Sequence, residues 1–234
     1  MRMDIVLLVG NCFCSPLNGP QMVGFGLLLR SQQILVSQCR SPARTSKHSP
    51  TPSDPFDTPE LGLQWGFWHE YDPARFETGK HFLQMAARGK GLNDSSVLTA
   101  PVGGHAYTIE VEVEVESGCE VGLLLFYNPE HATGITLTSA GINVRVANGL
   151  IFSDQDSKSS KATLRIVNDR QEVDFYFRLY QQPWQCTEYS VEISGMHHNV
   201  LCGFLDVRPA LSAWGNNNAI FRNFRYWPDV KSPT

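Results

Sequence analysis

The clearest pattern in the chain is a strict alternation of apolar and polar residues from Ala106 to Glu116. Side chains of the two kinds fall on opposite faces of an extended segment: Tyr107, Ile109, Val111, Val113 and Val115 on one, and Thr108, Glu110, Glu112, Glu114 and Glu116 on the other. A period of two residues is typical of a β-strand with one buried face. We therefore predict a long, half-buried strand over this segment.

The residues that follow predict a second strand paired with the first. Ser117-Gly118 is a tight-turn signal, and the nearly continuous apolar run Cys119–Tyr127 is typical of a strand that is covered on both faces. Further short runs between turn residues predict more strands: His131–Thr138, Ile142–Ala147, Ala162–Val167, Val173–Leu179, Thr187–Ile193, Val200–Leu205 and Ala219–Tyr226. The pattern contains no useful helical period, and it predicts an all-β, two-sheet antiparallel β-sandwich of the jelly-roll kind.

The amino-acid composition agrees with a folded β domain and argues against two classes of partner. Of the 234 residues, 42% are hydrophobic and 18% are charged, which supplies enough apolar material for a core. No apolar run approaches the roughly 18 residues of a membrane-spanning helix. The net charge of −4 argues against a dedicated nucleic-acid binder. We expect neither a membrane nor a nucleic acid as a partner.

The charge is divided unevenly, and this division suggests the domain boundaries. Residues 1–53 hold five basic residues and one acidic residue, a balance of +4, so the remainder carries −8. The first piece ends in the Pro- and Ser-rich stretch Ser41–Ser53, which has the composition of a linker. We predict a poorly ordered N-terminal segment and linker over residues 1–53, the sandwich over residues 54–228, and a tail over residues 229–234.

The N-terminal segment gives only weak signals of its own. Ile5–Gly10 is short for the apolar part of a secretory signal and could instead be a strand. Gly24–Leu29 and Gln33–Val36 could also form short strands. The sequence leaves the compartment open, with a secreted or periplasmic location favoured.

The glutamates of the alternating strand have two interpretations. Some jelly-roll glycosidases carry a nucleophile and a general acid as carboxylates four residues apart on one strand, and Glu110 and Glu114 have this spacing. The alternative is a solvated strand face on which the charges discourage pairing at the edge of a sheet. The glutamates are equally spaced and chemically alike, so we favour the second interpretation and expect no catalytic residue here.

Metal and cofactor motifs are weak. The six cysteines show no paired C-x-x-C spacing, which argues against zinc. Their even number permits disulfides without requiring them, and Cys119 and Cys202 lie in or next to apolar strands, where buried free thiols are common. Asp154-Gln155-Asp156 resembles the start of a calcium loop, but the remaining ligands are missing, so a surface loop is favoured. We expect no metal and no cofactor; a structural calcium ion is left open, but the sequence does not support one.

Four aromatic residues are candidate platforms for a sugar ring, because the apolar face of a pyranose packs on an aromatic plane. They are Trp68, Tyr71, Trp184 and Trp214. Trp65 and Phe67 share one face of an extended segment and are predicted to lie in the core, whereas Trp68 points the other way.

Three motifs in order resemble one known family. Pro59–Trp65 is followed by Phe67, His69 and Asp72-Pro73, then by Gly122–Asn128, and finally by Ala219–Tyr226. This series is similar to the C-terminal concanavalin A-like domain of family-43 glycoside hydrolases, the β-xylosidase and arabinofuranosidase group, over about residues 54–228. Trp68 and Tyr71 depart from the family pattern, which has a small polar residue and a proline at those positions.

The resemblance implies a concanavalin A-like sandwich that packs beside a five-bladed catalytic propeller. Residues 1–53 are too few to form a propeller, so the resemblance implies an accessory domain apart from its enzyme, with a xylo- or arabino-oligosaccharide as the substrate of the pair. Two alternatives stay open: a free-standing carbohydrate-binding module, and an autonomous jelly-roll glycosidase that uses Glu110 and Glu114.

Overall fold

The computed structural model describes residues 3–6, 52–68, 71–147, 149–203 and 205–230. Fifteen strands are found in this part of the chain: β1 Met3–Val6, β2 Gly66–Phe67, β3 Phe76–Gly79, β4 Phe82–Ala86, β5 Ser96–Thr99, β6 Ala106–Val115, β7 Cys119–Asn128, β8 His131–Thr138, β9 Gly141–Val146, β10 Gly149–Asp154, β11 Lys161–Asp169, β12 Glu172–Leu179, β13 Gln185–Glu192, β14 Arg208–Gly215 and β15 Asn218–Trp227. A single helical turn, α1, covers His198–Leu201, and two 3-10 turns cover Pro73–Arg75 and Leu92–Asp94.

The strands form two sheets. Sheet 1 has the order β1-β13-β12-β11-β6-β15-β4-β3, and sheet 2 has the order β10-β9-β8-β7-β14-β5-β2. All neighbouring strands are antiparallel except β1, which pairs in parallel with β13 at the edge of sheet 1. The predicted all-β, two-sheet sandwich is confirmed.

The core between the sheets follows from the alternation on β6 and its neighbours. Ile109 and Val111 of β6 are fully buried, and they face the inward side chains of sheet 2, such as Leu123 and Leu125 of β7. A strand of this kind buries every second side chain, so the apolar period of two fixes which face of sheet 1 is internal.

The predicted double burial of β7 is also confirmed. Its other face carries Leu124 and Phe126, which belong to a second, smaller apolar cluster on the outside of sheet 2. Trp68 covers this cluster from the segment after β2, and its ring meets Phe126 edge-on with centroids 5.1 Å apart. Leu92 in the second 3-10 turn is buried in the same cluster.

The start of the sandwich is fixed by the buried carboxylate of Asp54. One of its oxygens accepts a hydrogen bond from the Trp65 indole N–H at 2.7 Å, and the other accepts one from the Phe56 backbone N–H at 2.7 Å. The Asp54 backbone also bridges to Phe224 of β15. Asp54 therefore holds the beginning of the domain to the last strand through its backbone and to Trp65 through its carboxylate.

A β-bulge in β15 sets the direction of several side chains over β6. Arg222 pairs with Glu112 and Arg225 pairs with Glu110, so three steps on β15 match two on β6. Asn223 takes the extra position with a φ of 52°, in the left-handed region that Asn tolerates better than most residues. Phe221 and Phe224 consequently both point into the core, while Arg222 and Asn223 point outward.

Some sequence predictions were wrong in detail. Val200–Leu205 was predicted as a strand, but the chain forms the helical turn α1 there. Cys119 is buried, as is common next to apolar strands, whereas Cys202 follows that helical turn and is exposed. The pattern missed the four short strands β2 to β5, and also β10 and β14. Gly24–Leu29 and Gln33–Val36 lie outside the described residues, so their assignment stays a prediction, as does the separate character of residues 1–53.

We predict that Asn223→Val lowers the free energy of unfolding by about 2 kcal/mol, because a β-branched residue is strained in the left-handed region. Asn223→Gly relieves that strain and loses only the hydrogen bond to Glu112, so its cost is about 1 kcal/mol or less. Urea unfolding of the two variants measures the difference. Equal stability of both variants would contradict this account of the bulge.

Candidate functional site

The glutamates predicted from the sequence lie on the outer face of sheet 1, on a central strand. β6 is paired with β11 on one side and with β15 on the other. The interpretation that these charges discourage pairing at a sheet edge is therefore wrong. Their role follows from the basic residues that the two neighbouring strands place opposite them.

Glu110 is the most deeply buried of these carboxylates, with a side chain that is 6% exposed. Arg165 on β11 donates to one of its oxygens from Nε at 2.9 Å and from Nη2 at 2.5 Å. Arg225 on β15 approaches the other oxygen at 3.6 Å. A guanidinium on each side thus compensates a carboxylate that burial would otherwise destabilise.

The next two glutamates are held in the same way. Asn223 donates to Glu112 at 2.9 Å, and both Lys161 and Arg222 approach Glu114 at 3.0 Å. Burial acts to raise the pKa of Glu114, but the hydrogen bonds and positive charges of Lys161 and Arg222 outweigh it and lower that pKa below its usual range. Glu114 is therefore ionised at neutral pH and poorly suited to act as a general acid.

Glu110 and Glu114 are each held by cations from the neighbouring strands. The two carboxylates also bind different cations. We assign the row Glu110, Glu112 and Glu114 a structural role and call it the glutamate ladder. Catalysis by Glu110 and Glu114 stays an alternative that these contacts do not favour.

Trp184 lies over the same face of sheet 1, immediately before β13. The guanidinium of Arg165 is 4.2 Å from the centre of its ring, and that of Arg178 is 4.7 Å away. Beside this cluster is an open groove of about 730 Å³, lined in part by Arg178, Tyr180 and Glu112. Of the four predicted aromatic platforms, Trp184 is the one on the charged face.

Trp214 and Trp68 lie instead on the outer face of sheet 2. Trp214 is 6% exposed, and Trp68 is partly buried against Phe126. The Arg145 guanidinium is 5.6 Å from the Trp214 ring and also binds Glu120, beside a cavity of about 510 Å³. Both tryptophans contribute to the packing of this cluster, and their use as platforms for a sugar ring stays a prediction.

Tyr71 is 58% exposed at the end of the sandwich where β2 and β3 lie. Its ring is 4.4 Å from Phe67, which in turn contacts Phe76 at 5.2 Å. Leu63 is fully exposed close by, and both residues line a shallow cavity of about 400 Å³. We call Leu63, Phe67, Tyr71 and Phe76 the aromatic edge.

The predicted calcium-loop start is a local turn in this structure. Asp154 accepts hydrogen bonds from the backbone N–H of Asp156 at 2.9 Å and from the Ser157 hydroxyl at 2.5 Å. The Ser157 hydrogen bond is the main cause of the lowered pKa of Asp154. In the part of the chain that the structure describes, no three His, Cys, Asp or Glu side chains group as metal ligands would. No helix among the described residues is long and apolar enough to cross a membrane.

Sequence reasoning missed the basic partners of the ladder. Arg165 and Arg178 occupy outward positions of β11 and β12, as the alternation in those runs would have indicated. Tyr180 directly follows β12 and is 79% exposed. The pairing of β6 with β11, and of β11 with β12, brings Arg165 and Arg178 close to the glutamates. The sequence pattern does not specify these pairings.

Comparison with known proteins decides the family. Residues 53–227 match the beta xylosidase C-terminal concanavalin A-like domain. The chain belongs to this family. The predicted resemblance is therefore confirmed, and so is the concanavalin A-like character of the sandwich. No curated protein matches the chain.

Solved structures share the fold of this family-43 C-terminal domain. The xylan beta-1,4-xylosidase from Bacillus halodurans C-125 superposes with a TM-score of 0.70 at 17% identity, over 80% of this chain and 41% of that one. The GH43 BlXynB protein from Bacillus licheniformis gives a TM-score of 0.64 at 20% identity, over 77% and 40% of the two chains. This chain thus spans about two fifths of the length of these proteins.

The charge on Glu114 gives this family-43 domain a testable pH dependence. The lowered pKa of Glu114 stabilises the folded state at neutral pH, and this contribution is lost as the pH falls through that folded-state pKa. We predict that Glu114→Gln is less stable than the wild type at pH 7 and that the difference narrows as the pH is lowered from about 5 to 3.

Urea midpoints at several pH values measure this effect. Glu188→Gln, at an exposed position of β13, is the matched control and should show no such trend. A stability difference for Glu114→Gln that is constant across the pH range would contradict the ion-pair assignment.

Proposed function

We propose that this chain is a non-catalytic accessory domain that works with the catalytic propeller of a family-43-type glycoside hydrolase of the β-xylosidase and arabinofuranosidase group. The match of residues 53–227 to the C-terminal domain of these enzymes is the observation that carries the proposal. The substrate of the pair would be a xylo- or arabino-oligosaccharide from plant polysaccharide. A secreted or periplasmic location suits such a substrate.

The glutamate ladder supports a non-catalytic role. Each of its carboxylates is engaged by a cation or an amide from a neighbouring strand. A nucleophile or a general acid needs a carboxylate that is free to meet the substrate, and the two would need different pKa values. The contacts of the glutamate ladder leave none of its three carboxylates without a partner.

The aromatic edge supports a role in contact with another domain or with substrate. Leu63 and Tyr71 are large apolar side chains that the fold leaves exposed, side by side, where both sheets end. Aromatic and aliphatic clusters of this kind are enriched in the centres of interfaces. The same exposed Tyr71 keeps the second candidate function open, a free-standing carbohydrate-binding module that stacks a sugar ring on this residue.

Two assays of the purified chain test the proposal. We expect no turnover of nitrophenyl xyloside or nitrophenyl arabinofuranoside, and no measurable heat when unsubstituted xylo-oligosaccharides are titrated into the chain. Turnover that Glu110→Gln abolishes would overturn the non-catalytic role.

The binding assay separates the two candidate functions. Tight binding of the neutral oligosaccharides, lost in Tyr71→Ala and retained in the surface control Leu150→Ala, would favour the free-standing binding module. A propeller-encoding sequence in the adjoining genomic reading frame would independently support the accessory role.

A further inference from the structure

We propose that the groove beside Trp184 on the outer face of sheet 1 binds an oligosaccharide that carries a uronic acid, with the ligand carboxylate on Arg178. This inference rests on the proposed role in polysaccharide hydrolysis, and it gives the accessory domain a contact of its own with the substrate.

The groove is formed by a row of residues that crosses the sheet. Register places Arg222 opposite Glu112, Glu112 opposite Thr163, and Thr163 opposite Arg178. These four side chains all line the groove of about 730 Å³. The turn that follows β12, with Tyr180 at its start, forms one wall. The site is therefore built on four paired strands, which hold side chains more rigidly than a loop does.

The lining carries an excess of positive charge. The lining has three cationic side chains, Lys161, Arg178 and Arg222, and one carboxylate, Glu112. Glu114, which is not part of the lining, compensates the charges of Lys161 and Arg222 through contacts of 3.0 Å. Within the described part of the chain, Arg178 has no carboxylate within ion-pair distance, and its recorded contact is with the Trp184 ring. Arg178 is thus the cation of the groove that is available for a ligand carboxylate.

Trp184 is a positioning residue in this arrangement. Its ring is close to the guanidinium groups of both Arg165 and Arg178, and Arg165 is fixed by its ion pair with Glu110. A guanidinium held against an indole keeps its planar face ordered and its N–H groups free at the rim. Two guanidinium groups therefore lie close to this ring, and stacking of a sugar on Trp184 stays a prediction.

Tyr180 supplies an aromatic surface in the groove. It is 79% exposed at the wall of the groove, beside Gln181 and Gln182. A sugar needs an apolar plane together with donors and acceptors for its hydroxyls, and Tyr180, the amides and Glu112 provide these. Glu112 and the net charge of −4 disfavour a dense polyanion, so a sugar chain with an isolated carboxylate is the better fit.

Calorimetric titration of the full chain with glucuronic-acid-substituted xylotetraose tests this site. We expect it to bind at least about tenfold more tightly than unsubstituted xylotetraose or free glucuronate. Arg178→Gln should remove this preference, and Tyr180→Ala should weaken binding severalfold while keeping the preference for the acidic ligand. Lys80→Gln makes the same charge change at an exposed turn of sheet 1 outside the groove and should leave binding unchanged.

Urea midpoints of the variants check that each one folds, and Arg178→Lys replaces Arg178→Gln if the latter does not. The lysine variant keeps the charge but loses the planar fork, so it should show an intermediate affinity. Equal affinity for the acidic and neutral oligosaccharides, no binding of either, or an unchanged preference in a folded Arg178 variant would overturn the groove assignment. Those results would leave the absence of catalysis intact, because the hydrolysis assay tests it separately.

Discussion

The stability of the sandwich depends on one constraint: β6 is a central strand, and yet its outer face carries three glutamates. A central strand must be paired on both sides, and unpaired carboxylates on its outer face would repel one another and resist burial. β11 and β15 solve this problem by placing Arg165, Lys161, Arg222 and Arg225 beside those carboxylates. The inner face of the same strand packs Ile109 and Val111 into the core. One strand therefore supplies side chains to the core on one face and the charged residues of the glutamate ladder on the other.

Most of the fold could be predicted because its long strands alternate or are continuously apolar. β6, β7, β11 and β12 follow directly from such patterns, and the family motifs add the sandwich topology. β14 could not be found in this way. Its sequence includes Pro209 and several small residues with low strand propensity, and it is a strand because β5 and β7 pair with it on both sides. The turn α1 was mistaken for a strand because a short apolar run does not distinguish the two.

The candidate sites were harder to predict, since they depend on which strands are neighbours. The sequence identified Glu110 and Glu114, but their cations come from residues about 50 and 110 positions away in the chain. The same limit applied to the tryptophans. Trp214 and Trp68 were chosen as aromatic platforms, yet they close an apolar cluster that forms only when sheet 2 is assembled. Tyr180 and Arg178 drew no attention because nothing local distinguishes them from ordinary surface residues.

The central claim, that the carboxylates of β6 hold the sheet together rather than perform catalysis, is tested most directly by a double-mutant cycle on Glu110 and Arg165. Urea unfolding of Glu110→Gln, Arg165→Gln and the double variant gives the coupling energy. We predict that each single change costs about 3 kcal/mol and that the double variant costs at least about 1 kcal/mol less than the sum, because each single change leaves a buried charge without its partner. Additive changes of less than about 0.5 kcal/mol each would contradict this account.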